Sequence, residues 1–428
     1  MSGVTIASAL VTSGARPRVT AVGLGADGWD GLPERLREVV ASAPVVLGGQ
    51  RHLDLLPPVA GQVREPWPSP LRDGLPALLA RHSGAVVALA SGDPLVSGIG
   101  STLVDLLGAD AVRVEPAVSS VALARARLGW SAEASEVLTL VGRDPHLLLR
   151  ALAPGRRLLV LSSDEHTPEA VAALLVGQGY AASRVVVLGD LGGPEESRRE
   201  GTAGAWSGPS PRLHVLALEL AGPVVGSWAA GLPDAAYEHD GQLTKRDLRA
   251  SALARLAPQP GQLLWDVGAG AGSVGIEWAR AHPTCRTVAV EAHPERAARV
   301  ARNAAALGVP GVVVVEGRAP DALAGLEAPD AVFVGGGATR PGVLEACLEA
   351  LRPGGRLVVH GVTLETETLL ATAYAAHGGE LTRHAVETAA PIGGFTGWTP
   401  ARAVVQWAHV KPSEPDPVPS SEPVEETP

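Results

Sequence analysis

The stretch LLWDVGAGAGS, Leu263–Ser273, holds the residues with the plainest chemical purpose. An apolar run carries an acid, Asp266, and leads to Gly268, Gly270 and Gly272, interleaved with Ala269 and Ala271. Glycines at that spacing let a backbone pass close to a bulky ligand and open into a helix with unpaired N–H groups. The next apolar run, TVAVE, ends in Glu291. That is where a ribose-binding carboxylate follows a nucleotide-binding turn, about 20 residues on. Turn and acid together describe a site for a nucleoside-bearing cofactor. Ser273 stands where a dehydrogenase fingerprint needs its third glycine, so a dinucleotide is disfavoured.

A second set of candidates lies in the first half of the chain. Gly23, Gly25 and Gly28 form a G-x-G-x-x-G after a short apolar run. The following strand, APVVLGG, ends in glycines with no acid, which excludes a dinucleotide there. The turn Ser91-Gly92-Asp93-Pro94 closes another apolar run. Asp93 can accept from backbone N–H groups or from ligand hydroxyls. Ser119 and Ser120 follow a third run, and their simplest role is to cap the helix Val121–Leu128, stopped by Gly129. All these turns fall at the carboxyl ends of strands, where open α/β sheets bind ligands. Arg51 and His52, after Gly48-Gly49, are candidate partners for substrate carboxylates.

Strands and helices alternate along both halves, which specifies mostly parallel sheets covered on both faces. In the first half, Leu32–Val40 and Leu75–Arg81 read as helices, the latter with Pro76 in its first turn. Val63–Pro70, with three prolines, reads as loop. Thr244 is a plausible N-cap of a helix Lys245–Leu256. Two final strands, near Leu381–Glu387 and Ala403–His409, can pair antiparallel. Residues 1–17 read as a leader, 221–236 as the boundary region, and 412–428 as a Pro-rich acidic tail without the apolar residues needed to order it.

The whole chain has 428 residues, 46% of them hydrophobic, enough for two or three cores. A net charge of −10 argues against non-specific nucleic-acid binding. It leaves room for an anionic small molecule in a locally basic pocket. No apolar run reaches the roughly 18 residues of a membrane span. Two cysteines, Cys285 and Cys347, give neither a disulfide framework nor metal-ligand spacing, so no metal is expected and a cytoplasmic location is.

The segments VGLGADG, VVLGGQRHL, LASGDPLVSGIG and VEPAVSSVALARARLGW, in that order, resemble the tetrapyrrole (precorrin) methyltransferases over about residues 18–220. Ala26 and Asp27 depart from that family's usual G-x-G-P-G opening. The resemblance implies two α/β subdomains binding S-adenosylmethionine between them, at Gly92, Asp93, Ser119 and Ser120. In the second half, D-x-G-x-G-x-G is similar to the first motif of Rossmann-like methyltransferases. The segments LPDAAYEHDGQLTKRDLRA, GRAPDAL, FVGGG and RPGGRLVVHGV extend that likeness to decarboxylating precorrin-6-type methyltransferase domains, over about residues 232–409. It implies that Thr244 contacts the cofactor and that Gly317–Ala319 lies beside its adenine. The glycines after the fourth strand stand where adenine and glutamine N-methyltransferases carry Asn-Pro-Pro-Tyr-type motifs, which weakens nucleic-acid and protein substrates.

Together the halves resemble the fused decarboxylating precorrin methyltransferases of aerobic cobalamin biosynthesis. The expected fold is a tetrapyrrole-methylase domain over 18–222 followed by a Rossmann-like class I methyltransferase domain over 223–411. The expected chemistry is methylation at macrocycle carbons 5 and 15, with loss of the ring C acetate carboxylate to give precorrin-8X. Two S-adenosylmethionine sites per chain and a homo-oligomer are implied with it. Arg51, His52, Lys245, Arg340 and Arg402 are the candidates for pairing with the substrate's remaining carboxylates. Two other readings remain: a small-molecule methyltransferase with one inactive domain, and a non-catalytic tetrapyrrole carrier.

Overall fold

The computed structural model describes residues 18–224, 226–227 and 229–413. The leader expected over 1–17, and all of the tail beyond residue 413, lie outside the described residues. The chain forms two compact units that change over between residues 225 and 226, with Leu149–Ala151 clustering with the second.

The first unit holds two sheets. β1 (Arg18–Leu24), β2 (Val45–Gly48), β3 (Val63–Pro66), β4 (Ala85–Ser91) and β5 (Val112–Glu115) make an all-parallel sheet in the order β3-β2-β4-β1-β5. The inner strands are near-continuous apolar runs because helices cover both faces. β6 (Glu136–Thr139), β7 (Arg157–Leu161), β8 (Arg184–Gly189), β9 (Ser197–Thr202) and β10 (His214–Glu219) make a mixed sheet in the order β6-β7-β10-β8-β9.

Two expectations fail here. Val63–Pro66 is a strand and not loop. It lies at the sheet edge, and Pro66 ends it, the position where a proline costs no internal ladder bond. The helix expected at Leu75–Arg81 runs Leu71–Ala80, which puts Pro76 inside it and not in its first turn. Pro70 serves as N-cap instead.

The second unit is one seven-stranded sheet. β11 (Leu263–Val267), β12 (Arg286–Glu291), β13 (Val313–Glu316), β14 (Ala331–Val334) and β15 (Arg356–Gly361) run parallel, followed in chain order by β16 (Glu380–His384) and a separate hairpin of β17 (Glu387–Ile392) and β18 (Phe395–Pro400). β19 (Val404–Val410) inserts antiparallel between β15 and β16, giving the order β13-β12-β11-β14-β15-β19-β16. Strand order reverses between β11 and β14, so the chain leaves a crevice at their carboxyl ends. Trp265, Val267, Val332, Leu357 and Trp407 anchor the core on one face of this sheet. On the other, Leu264, Phe333 and Val358 pack against Trp278 and Leu253.

Candidate active site

The reversal of strand order brings two glycine turns together. Gly268 has φ +68°, and a Cβ on it would come 2.6 Å from the Gly336 carbonyl oxygen. Only glycine permits both the backbone conformation and the approach. The Asp266 carboxylate is buried below the turn, and its Oδ2 accepts from the Gly275 N–H at 2.9 Å. It therefore fixes the start of the helix Ser273–Ala281 and not the glycine turn directly. Burial pushes this carboxyl up to about 7, and the charge of Glu291 adds to the rise.

Glu291, at the end of β12, takes over the bracing of the turn. The Gly270 N–H donates to its Oε2 at 2.8 Å, and the His293 N–H donates to its Oε1 at 2.9 Å. Each carboxylate oxygen keeps a second lone pair for a ligand hydroxyl.

A cavity of about 600 Å³ opens over these turns. Of the expected residues it is lined by Thr244, Lys245, Gly268, Ala269, Gly270, Glu291, Ala319, Arg340 and Arg402. Asp266, Ala271 and Gly272 lie behind the wall: Ala271 is buried, and Gly272 packs against the Val300 side chain at the helix start. The cavity has two chemically distinct ends. One carries Glu291 and the backbone of Gly317–Ala319; the other carries Gly335–Gly337, Arg340, His360, Arg402 and Val404.

Thr244 is not a helix cap. Lys245 is the N-cap of the helix Arg246–Leu256, and no side chain caps it. What holds this segment is Arg249, which is wholly buried. Its guanidinium donates to the carbonyls of Thr244 and Leu232, to Glu277 Oε1 and, at 3.4 Å, to Asp234 Oδ1. Glu277 in turn accepts from the N–H groups of Gly231 and Leu232 and from the Tyr237 hydroxyl at 2.9 Å. At the far side, Asn303 ties the Glu238 backbone to the Ala271 carbonyl. The segment 231–245 is thus strapped across the glycine turn. Sequence reading missed this network, although a helix arginine at an apolar-face position was a visible signal.

The cations differ in how free they are. Lys245 lies 3.5 Å from Asp234. Among the described residues, the guanidinium groups of Arg318, Arg340 and Arg402 have no hydrogen-bond or ion-pair partner, and all three line the cavity. Arg318 was not among the candidates, nor was His360, although the latter ends an apolar strand at a carboxyl end.

In the first unit, the turns after β1, β4 and β5 meet. The Gly92 N–H donates to the Leu24 carbonyl at 2.9 Å, and the Ala117 N–H donates to the Gly92 carbonyl at 3.2 Å. Gly92 has φ +54°, and a Cβ there would stand 3.1 Å from Ser119 Cα. Gly92, Ser120 and Arg51 line a cleft of about 70 Å³, faced by Leu188, His214 and Val215 from the second sheet. That is far smaller than a nucleoside with its amino-acid arm. Asp93 and Ser119 are used locally: Asp93 Oδ1 accepts from the Leu95 N–H, and Ser119 caps the helix Ser120–Leu128 through the Ala122 N–H.

His52 is not a cationic partner for a carboxylate. It is buried, with Nε2 2.9 Å from the Arg51 guanidinium and 3.0 Å from Ser91 Oγ. Desolvation, reinforced by the Arg51 charge, pushes it down to about 4, so it is neutral at pH 7.

Two family models match the chain: Tetrapyrrole (Corrin/Porphyrin) Methylases over residues 18–206, and Precorrin methyltransferase domain over residues 235–411. A precorrin-6Y C(5,15)-methyltransferase [decarboxylating] from Sinorhizobium sp is 46% identical over 399 residues, covering 92% of this chain and 97% of that one. A protein of the same name from Mycobacterium tuberculosis (strain CDC 1551 / Oshkosh) is also 46% identical, over 92% of this chain and 100% of its own. The crystal structure of the C-terminal domain of precorrin-6Y C5,15-methyltransferase from Rhodobacter capsulatus is 42% identical, with a TM-score of 0.42, covering 44% of this chain and 100% of that one. Because the identity to full-length relatives extends through both units, the chain belongs to the family of decarboxylating precorrin-6Y C(5,15)-methyltransferases.

Proposed function

We propose that the chain methylates a precorrin-6-type macrocycle at carbons 5 and 15 and removes the ring C acetate carboxylate, yielding precorrin-8X in cobalamin biosynthesis. Residues 18–222 serve carbon 5. Residues 223–411 serve carbon 15 and the decarboxylation. The observation that carries the reading is the two-ended cavity of the second unit. Glu291 stands at one end with Gly317–Ala319, and the unpartnered guanidinium groups of Arg340 and Arg402 stand at the other.

The residues of that cavity fit S-adenosylmethionine: the volume suffices, the cradle is one a Cβ would fill, and Glu291 has acceptor capacity left. When bound, the cofactor supplies an electrophilic methyl on a sulfonium sulfur. Glu291 would accept from the ribose hydroxyls, the Gly317–Ala319 backbone would hold the adenine, and Gly268–Gly270 would admit the methionine arm. Thr244, held by Arg249 through its carbonyl, lines the cavity from the strap. Lys245, Arg318, Arg340 and Arg402 pair with carboxylates of the macrocycle. The meso carbon is itself an enamine-like nucleophile. The protein therefore contributes mainly position, which is worth at best about 7–11 kcal/mol.

In the first unit the cleft of about 70 Å³ is too small in this structure for the whole cofactor. A second cofactor site there, at the turns of Gly92 and Ser120, is part of the proposal. So are a homo-oligomeric state and a cytoplasmic location. No described helix is long and apolar enough to cross a membrane.

The test is the full-length chain with S-adenosylmethionine and a hydrogenated precorrin-6 substrate, read by mass spectrometry, with calorimetry of S-adenosylhomocysteine. The expected result is two methyl groups gained, one carbon dioxide lost and two binding sites per chain. One site and one methyl would favour a single active domain. Tight macrocycle binding without transfer would make the chain a carrier.

A further inference from the structure

The cavity of the second unit contains one side chain suited to moving a proton. His360 reaches it from the carboxyl end of β15. Its ring is held on two sides. Phe333 packs edge-on at 5.0 Å between ring centroids, and Gln406 Oε1 lies 2.9 Å from His360 Nε2. Gln406 is its register partner on β19 and is wholly buried. With the Gln406 carbonyl oxygen turned to the ring, as it stands here, that oxygen can only accept, so Nε2 carries the hydrogen and Nδ1 is a bare lone pair. Among the described residues Nδ1 has no hydrogen-bond partner, yet it is not among the sealed, unpartnered atoms. Nδ1 is therefore not sealed off, on a residue that lines the cavity.

The other titratable groups on that wall do not suit the task. Glu291 holds a backbone N–H on each oxygen at the nucleoside end. Lys245, Arg296, Arg318, Arg340 and Arg402 are cations with no lone pair to offer.

The reaction itself needs a proton moved. Carbon 15 gains a methyl as the sulfur–methyl bond breaks, and it must then lose its hydrogen as a proton, the bonding pair returning to the ring. The acetate loses carbon dioxide, its electron pair flowing into the conjugated ring, and the exocyclic carbon must then gain a proton. One proton is released and one is consumed, so the net reaction is proton-neutral. We propose that His360 Nδ1 takes the proton from carbon 15 and returns it to the exocyclic carbon left by decarboxylation. The proposal rests on the substrate and cofactor reading given above. Burial, with His384 and Arg255 nearby, outweighs the Gln406 bond and holds the imidazole neutral, down to about 4. The ring therefore starts with its lone pair free, and a proton taken up is readily passed on.

The test runs the full-length enzyme with S-adenosylmethionine and substrate in D2O, and reads the product by mass spectrometry. The expected new methyl from the acetate is largely undeuterated, because its third hydrogen comes from carbon 15. In His360→Gln, whose amide can still reach Gln406, carbon-15 methylation and carbon dioxide loss are expected to slow by about 100-fold or more. The first unit's methyl transfer and S-adenosylhomocysteine binding are expected to persist. In 15N spectra of the free wild-type enzyme, the His360 hydrogen is expected on Nε2. Full deuteration of the new methyl in wild type, a wild-type rate in the variant, or an Nδ1–H tautomer would each overturn the assignment. If wild-type enzyme binds S-adenosylhomocysteine but neither methylates nor decarboxylates the substrate, the functional reading itself is what fails.

Discussion

The Gly270 N–H donates to the Glu291 carboxylate at 2.8 Å, so the acid at the end of one strand fixes the turn at the end of its neighbour. The same carboxylate is positioned for ribose hydroxyls. Its two duties predict a specific phenotype for Glu291→Gln. One oxygen remains to accept, but the new amide NH2 faces an N–H donor, either from Gly270 or from His293. S-adenosylhomocysteine affinity should fall by about 10–100-fold, the range of a charge-assisted bond lost. Isothermal titration calorimetry checks it. Unchanged affinity would remove Glu291 from the cofactor site.

Gly268 and Gly337 make a matched pair. Both have positive φ, +68° and +79°. A Cβ at Gly268 meets the Gly336 backbone, whereas at Gly337 nothing lies within 4 Å. Gly337→Ala should cost only the left-handed backbone penalty, about 1–2 kcal/mol. Gly268→Ala should cost more than that, because two backbones must separate, and should abolish S-adenosylhomocysteine binding. Urea unfolding and calorimetry on both variants test the contrast. Equal losses in both would mean that the close approach carries no weight.

How far the sequence reads the site follows from where each signal lives. The glycine turn and Glu291 are local: residue type and spacing alone place a strand, a turn and an acid. The cations Arg340 and Arg402 could be singled out only by charge and position along the chain, because their shared cavity is made by the order of strands. Arg249 showed only as an arginine on the apolar face of a helix, and Asn303 not at all. Each is a polar residue on a helix, and its meaning lies in partners that only the fold brings to it: Leu232 and Glu277 for Arg249, Glu238 and Ala271 for Asn303. The hairpin Glu387–Pro400 was missed for a different reason. Pro391, Gly393, Gly394 and Gly397 read as loop, and its apolar Ile392, Phe395 and Trp398 are exposed, so no burial pattern betrays the strands.

Arg249 should be among the costliest single replacements in the second unit. Arg249→Met leaves Glu277 buried with its charge no longer paired, which in general costs about 3–5 kcal/mol. Replacing Glu277 as well should not restore stability. The carboxylate also holds the Gly231 and Leu232 N–H groups and the Tyr237 hydroxyl, all of which would lose their partner. Urea denaturation of the single and double variants decides this. A double variant as stable as wild type would make the network an ordinary ion pair and not the anchor of the strap.

His52 gives a pH dependence with a definite sign. Burial, then the neighbouring Arg51 charge, lowers it from 6.5 to about 4 in the folded chain. Between those values the unfolded chain binds more protons than the folded one. Stability contributed by the neutral ring is therefore present above pH 6.5 and is lost as pH falls through 4. The full shift corresponds to at most about 3 kcal/mol. His52→Gln keeps an acceptor for Arg51 but cannot take up a proton. The stability of wild type relative to this variant should accordingly fall by up to that amount between pH 7 and pH 4. Because other groups titrate in both proteins alike, the difference isolates this ring. Chemical denaturation of both proteins across that range reads it directly, and a pH-independent difference would mean that His52 titrates as it does in water.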